Sequence, residues 1–431
     1  MAEMNNTALD TLLDILKSSG ADAWEVTDQT DKGWEFYFIR HSLDQHRVKD
    51  VRAFVVKVYR KFDDCLGSAN AIVPADASEK EMRRIVEGLC RDASYVRNPF
   101  YTLNKPCAGQ APTAEAETID LEAISGDFLR TLASVPETET EDLNSYEIFA
   151  GSVRRRFLNS EGIDVTDVYP SSMVEAVVNA RKDGHEIELY RLFKSGTCNR
   201  EQLTQELTEA LTYGRDKLAT SPTPALGKTD VVFSTDPAKE LYSYFIDRLH
   251  TSMVYRGMSD WKTGDTVAPE NLTVQAVKTL PNSSRNTAWD NEGAPVRDLT
   301  LIERGKAVSY WGGRQFSQYL GLESSFNANN FAVSGGTESA AELRTGDFLE
   351  VVEFSDFQTD AITGDIAGEI RLGYLHRDGK VIPVSGGSVS GNVRELLGGF
   401  RFSKETRQYD CLLIPAVTRL QGVTVTGAGN G

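Results

Sequence analysis

From residue 270 onward, short apolar runs alternate with glycine-rich turns, and this pattern constrains the fold more than any other feature of the chain. The runs are Leu272 to Val277, Leu299 to Ile302, Ala307 to Tyr310, Phe348 to Phe354, Glu369 to Leu375 and Val381 to Val384. Each has the length of a strand and is too short for an ordinary helix. Asp378-Gly379 sits between two of them, and Asp-Gly tolerates the positive φ angles of a tight hairpin turn. The closing "QGVTVTGAGNG" reads as a last strand and a tail. No fixed-period repeat is present.

The first half has a different rhythm. Residues 9 to 19 read as a helix ended by Gly20, with Leu9, Leu12, Leu13 and Leu16 on one side. Ala23 to Val26, Trp34 to Arg40 and Val51 to Tyr59 read as strands, the last with Val51, Ala53 and Val55 set against Arg52 and Val56. Ser78, with Glu81 three residues on, opens a helix to about Tyr95 as a capping box. Residues 104 to 118, rich in Pro, Ala and Glu, read as a hinge. A helix from Asp120 to Ala133 follows. A strand then runs from Ser145 to Asn159, turns at Ser160-Glu161-Gly162 and continues from Ile163 to Asp183. A helix opens at Asn199 or Thr204 and runs to about Leu218, ahead of the Pro-containing linker "TSPTPALGKTD". The expectation is an α+β protein. A small N-terminal domain with an antiparallel sheet spans residues 1–105, a linker with helices and a long strand pair spans 106–225, and a larger β-rich C-terminal domain spans 226–431.

Charge narrows the function classes. The formal net charge is −17 over 431 residues. That argues against nucleic acid as a partner, because phosphate backbones call for a basic face, and against an anionic membrane surface. No stretch reaches the ~18 consecutive apolar residues of a membrane span, and the N-terminus reads as an amphipathic helix, not a signal peptide. Cysteines 65, 90, 107, 198 and 411 are scattered, never as Cys-x-x-Cys, which suits reduced thiols in a cytoplasm.

The residues offer no complete catalyst. His41 and His46 are five apart, which on a helix separates them by about 140° and suits one metal poorly. "SDWKTG" (259 to 264) overlays Ser-x-x-Lys and Lys-Thr-Gly on the single Lys262, where the two elements require separate lysines. Asp356, Asp360 and Asp365 read as turn chemistry or a weak cation cluster. The glycine-rich runs at Ser334, Gly335, Gly336 and Thr337 and at Gly386 and Gly387 match no phosphate loop. They read either as turns or as exposed backbone able to pair with an extended peptide. The apolar Val231-Val232-Phe233 feeds a helix with Leu241, Phe245, Leu249 and Met253 at helical spacing. Strand-then-helix arrangements of this kind often carry a metal or a nucleophile. This helix offers Tyr242, Ser243, Tyr244 and His250.

Five stretches in order resemble the TldD/PmbA family of metalloproteases: "SSGADAWEV" (18 to 26), "RRRFLNSEGIDV" (154 to 165), "WKTGDTVAPENLTV" (261 to 274), "WDNEGAPVRDLTLIERGKAVSYW" (289 to 311) and "DAITGDIAGEIRLGYLHRDGKVIPVSGGSVSGNV" (360 to 393). The resemblance implies two branches that pair as a heterodimer. The TldD-like branch carries His-Glu-x-x-x-His on the helix after the strand, plus a C-terminal cysteine, and binds zinc; the TldE/PmbA-like branch lacks these. Here Ser243, Tyr244 and Arg248 fall at the His, Glu and His positions, and Cys411 lies nearer the terminal strand than the family's ligand. The resemblance therefore implies a TldE/PmbA-like subunit with no catalytic residue, no metal and no cofactor of its own. Its partner would be a TldD-like subunit or a second copy, and its substrates unfolded peptides; the alternative is a stand-alone homodimeric peptide-binding protein.

Overall fold

The computed structural model describes residues 2–107, 118–323 and 325–429, so most of the expected hinge lies outside the described residues. Helix α1 (Ala2–Ser18) precedes the long hairpin β1 (Ala23–Ile39) and β2 (Ser42–Lys61), then β3 (Cys65–Pro74), α2 (Glu79–Ala93), β4 (Asn98–Pro99) and α3 (Leu121–Ala133). Four strands follow, β5 (Glu141–Asn159), β6 (Asp164–Pro170), β7 (Ser172–Lys182) and β8 (His185–Ser195), and then α4 (Arg200–Lys217). All eight strands form one sheet in the order β4-β3-β2-β1-β5-β7-β8, with β6 on β5. Its pairings are antiparallel throughout. Because β1 pairs with β5 along nearly its whole length, sequence segments 1–105 and 106–225 share this sheet.

The helices lie on one face of the sheet. Leu9, Leu12, Ile15 and Leu16 of α1 and Met82, Val86 and Leu89 of α2 pack on Val26, Phe54, Val56, Val58 and Val73. Phe128 and Leu132 of α3 and Leu203, Leu207 and Leu211 of α4 pack on Tyr146, Ile148, Val174 and Val178. Each buried Leu or Phe contributes roughly 1.5–3 kcal/mol relative to exposure. The helix starts follow the sequence: Ser78 accepts from Glu81 N at 3.3 Å, and Asp120 and Asn199 cap α3 and α4.

Three expectations change. Ala23 to Val26 and Trp34 to Arg40 are one strand. Its polar centre is held by Arg52, which donates to both oxygens of Asp28 at 2.7 and 2.9 Å, and by Gly33, which lies close to Ala150 O. The core-facing set of β2 is Phe54, Val56 and Val58, while Val51 and Val55 are exposed; each face carries two valines, and Phe54 against Ala53 makes the first set the more apolar. The strand expected from Ile163 to Asp183 breaks at Pro170, which cannot donate to a ladder. It is followed by the unanticipated β8, joined to β7 through Asp183 and Gly184, both at positive φ.

The rest of the chain is strand-rich, giving a mixed α+β fold. It runs through β9 (Ser221–Pro222), β10 (Gly227–Phe233), α5 (Ala238–Asp247), α6 (Thr251–Tyr255), β11 (Thr273–Val277), β12 (Leu299–Glu303), β13 (Lys306–Ala307), α7 (Arg314–Tyr319) and β14 (Asn330–Ser334). It ends with β15 (Phe348–Thr359), β16 (Asp365–Arg377), β17 (Lys380–Ser385), β18 (Ser388–Asn392), α8 (Val393–Leu396), β19 (Phe400–Phe402), β20 (Thr406–Tyr409), β21 (Leu412–Pro415) and β22 (Thr418–Thr426). One sheet has the order β15-β10-β22-β18-β16-β17-β9 and curls back through a β15–β16 pairing; the other runs β13-β12-β11-β14-β21-β20. Asp378 and Gly379 take positive φ in the β16–β17 hairpin, as expected. Helix α5 lies in the core shared by these two sheets.

Candidate functional site

A cleft of about 660 Å³ opens where the two halves of the chain meet. One wall is β8 and α4; the other is the start of α5 and the segment from Arg407 to Leu412. Its position follows from β10. Val231, Val232 and Phe233 are fully buried, and the chain then leaves the sheet through Ser234-Thr235-Asp236-Pro237. Thr235 Oγ1 donates to Val352 O at 3.0 Å, and α5 begins at once.

Helix α5 divides the residues in question. Lys239, Glu240 and Ser243 line the cleft. Leu241, Tyr242, Tyr244, Phe245 and Ile246 are buried, and Tyr242 OH and Thr418 Oγ1 share a 2.6 Å hydrogen bond. Tyr244 stacks edge-on against Phe245 and Trp261. Arg248, just past the helix end, is 0% exposed. It donates to Ala361 O at 3.1 Å, to Ile362 O at 2.7 Å and to Asp260, and its guanidinium lies over the Tyr244 and Trp261 rings. Arg394 donates to Tyr244 OH and Asp260, both at 3.1 Å. Of Ser243, Tyr244 and Arg248, only Ser243 reaches the cleft. A zinc ion needs three or four N, S or O ligands converging at about 2.0–2.3 Å. A guanidinium is a permanent cation with no acceptor, so this set does not fit the metal. Among the described residues no group of three or more His, Cys, Asp or Glu side chains could hold one.

Cys411, set apart in the sequence, lines the same cleft as Ser243. Burial pushes its thiol up, with Asp410 adding to the effect, so the thiolate is disfavoured. The cleft is otherwise held by ion pairs. Arg407 Nε meets Glu206 at 3.0 Å and its Nη2 meets Glu209 at 3.1 Å; Arg191 pairs with Glu353; Lys239 meets Asp236 at 2.6 Å. Burial raises Glu206, Glu353 and Glu240 above the usual carboxylate range, partly opposed by Arg407, Arg191 and Lys239 respectively. Tyr213, Tyr409 and Phe354 add aromatic surface. A concave, ion-paired cleft with a few aromatic side chains suits an extended chain with mixed side chains better than a small apolar ligand.

The glycine-rich runs lie elsewhere. Gly335, at φ +112°, packs so closely on Asn271 O that an added Cβ would sit 1.6 Å from it, and Gly336 abuts Ser403 O in the same way. Ser334 and Thr337 are exposed beside them. Gly386 and Gly387 take φ +80° and +77° in the turn before β18, with Thr426 O 2.2 Å from a Cβ at Gly387. The structure brings neither run to the cleft. Asp360 accepts from Ile362 N and Thr363 N at 2.8 and 2.7 Å, the turn chemistry expected of it. His41 is hydrogen-bonded to Tyr146 OH and Glu137, and His46 stacks on Phe36. No sequence signal marked Arg407, Glu206, Glu209, Arg191 or Glu353, which become neighbours only through the fold.

Residues 226–427 match the PmbA/TldA metallopeptidase C-terminal domain. Among curated relatives, an uncharacterized protein of Methanocaldococcus jannaschii is 23% identical over 64% of this chain and 68% of its own length. A protein of Methanothermobacter thermautotrophicus named Metalloprotease is 29% identical over 56% and 58%. The crystal structure of TldE from Thermococcus kodakarensis superposes with a TM-score of 0.76 at 17% identity, covering 98% of this chain and 100% of that one. A putative modulator of DNA gyrase from Bacteroides thetaiotaomicron gives 0.75 at 17% identity, covering 99% and 98%. These two likenesses show the fold. Among the described residues no helix is long and apolar enough to cross a membrane.

Proposed function

We propose that this chain is the TldE/PmbA-like, non-catalytic subunit of a heterodimeric cytoplasmic metalloprotease. In this reading it holds unfolded peptides in its cleft while a TldD-like partner carrying His-Glu-x-x-x-His supplies the metal chemistry. The observation that carries it is Arg248: a buried guanidinium, bonded to Ala361 O and Ile362 O, stands at a position where the resemblance implies a zinc-binding histidine. A fixed positive charge there opposes a divalent cation within a few ångströms. The cleft supports the peptide-holding role, since its aromatic walls and paired charges offer contacts to a backbone without demanding one sequence. The thiols of Cys65, Cys90, Cys198 and Cys411 suit a reducing compartment.

The test is co-expression with a TldD-like chain under separate affinity tags. The two chains should co-purify at one to one and cleave unfolded casein, with neither doing so alone. Chelator-sensitive cleavage by the lone chain, or failure to pair, contradicts the reading.

A further inference from the structure

A second cavity of about 400 Å³ lies beside the cleft and contains Ser234, Ala340, Arg344 and Val417. The two share Asn199, Gln202, Glu209, Tyr213 and Arg407 as lining residues. Arg407 projects from β20 between them. It is fastened to Glu206 and Glu209, one turn apart on α4, and a third donor reaches Ser234 O at 3.4 Å. We propose that Arg407 is a movable bar across a single passage, and that its position determines how long an extended chain the cleft accepts.

Three features support a side chain that can move. One of its partners is exchangeable: Ser234 O, at 3.4 Å, is a neutral carbonyl, and a carbonyl of an incoming backbone can take its place while the guanidinium keeps its carboxylates. The pair with Glu209 is open on one side, since Glu209 keeps 29% of its side chain exposed, whereas Arg407 and Glu206 keep 14% and 13%. Tyr409, on the same strand, already holds its ring 5.8 Å from the guanidinium and can keep that contact as the side chain turns. With the bar in place, the larger cavity ends at Arg407. With the bar aside, both lie within the size range of ligand sites and are continuous, and Ser234, Arg344 and Val417 come within reach of the same bound chain.

Two measurements on Arg407→Ala test this, the second resting on the peptide-holding reading. First, Ala340→Cys places a thiol in the smaller cavity, opposite native Cys411 in the larger. Bis-maleimides of graded length are added and products mapped by mass spectrometry. The linker should join the two cysteines in the Arg407→Ala background, while the parent gives mainly separate adducts. Equal cross-linking in both backgrounds, or none in either, overturns the bar. Second, fluorescein-labelled Gly/Ser/Ala peptides of increasing length are titrated by anisotropy. Affinity should level off at shorter peptides for the wild type than for Arg407→Ala, which should bind the longest on the order of tenfold more tightly. An unchanged length dependence overturns the bar. Cross-linking without any peptide binding keeps the bar and removes the peptide-holding reading. Because Arg407→Ala leaves Glu206 and Glu209 unpaired, Arg407→Ala with Glu206→Gln and Glu209→Gln is run in parallel. It removes the buried charge and should give the same cross-link.

Discussion

At Gly387 the backbone takes φ +77°, and a Cβ would meet Thr426 O at 2.2 Å. Both the left-handed conformation and the contact penalise any side chain. Gly387→Ala should therefore cost about 2 kcal/mol or more in urea unfolding, and it should leave peptide anisotropy unchanged once folded; lost binding at unchanged stability would return this run to the candidate site. Asp290 is a second residue whose behaviour follows from its surroundings. Its carboxylate accepts from Glu292 N, Ala294 N and Asn327 N, each at 2.8 Å. Burial nevertheless outweighs these bonds and pushes it up to about 6, above the ~3.9 of an unfolded aspartate. Between those values the folded chain holds more protons at this site than the unfolded chain. Its contribution is therefore full below about pH 4 and is lost as pH rises through about 6. Stability measured against Asp290→Asn should fall across that window; a flat difference contradicts the assignment.

Among the elements, the helices were the most legible from sequence. Ser78 announced α2, because a side-chain acceptor at a helix start is a local device. Ser78→Ala should cost about 1 kcal/mol, read by thermal unfolding, and an unchanged midpoint would show that the 3.3 Å bond to Glu81 N contributes nothing. Strands were read less well. The polar centre of β1 hid its continuity, since Asp28 is satisfied by Arg52, 24 residues away. The outer alternation of β2 competed with an inner one, and the packing of α1 and α2 on Phe54, Val56 and Val58 chose between them. Helix α5 was legible as an amphipathic helix after a buried strand. Which of its residues face the cleft was not, because Tyr244 and Arg248 turn inward to partners at Trp261, Ala361 and Asp260 that spacing along α5 does not encode.

Across the whole molecule, a buried polar knot joins the first sheet to the C-terminal half. Arg314, 4% exposed, donates to Glu25 and to Tyr59 OH at 2.9 Å, and Glu292 lies 3.6 Å away. Arg314→Ala strands buried Glu25 without its cation and should cost about 3–5 kcal/mol. The pair Arg314→Met with Glu25→Gln should cost less, since the charge leaves with its partner, and equal losses in urea unfolding would contradict that reading. None of these residues lines the cleft. Its walls come from residues near 191, 206, 240, 353 and 407, so no window of sequence held it. The family resemblance was legible because each stretch that carries it is contiguous in sequence; three of the five, including 289 to 311, lie within residues 226–427 where the family match falls.

The central claim, that α5 and its surroundings cannot hold a catalytic zinc ion, is tested most directly by equilibrium dialysis of the purified chain against zinc followed by elemental analysis. The account predicts well under one zinc per chain, with Ser243→Ala and Arg248→Met leaving the content unchanged. One tightly held zinc per chain, lost on substituting Ser243 or Cys411, would contradict it.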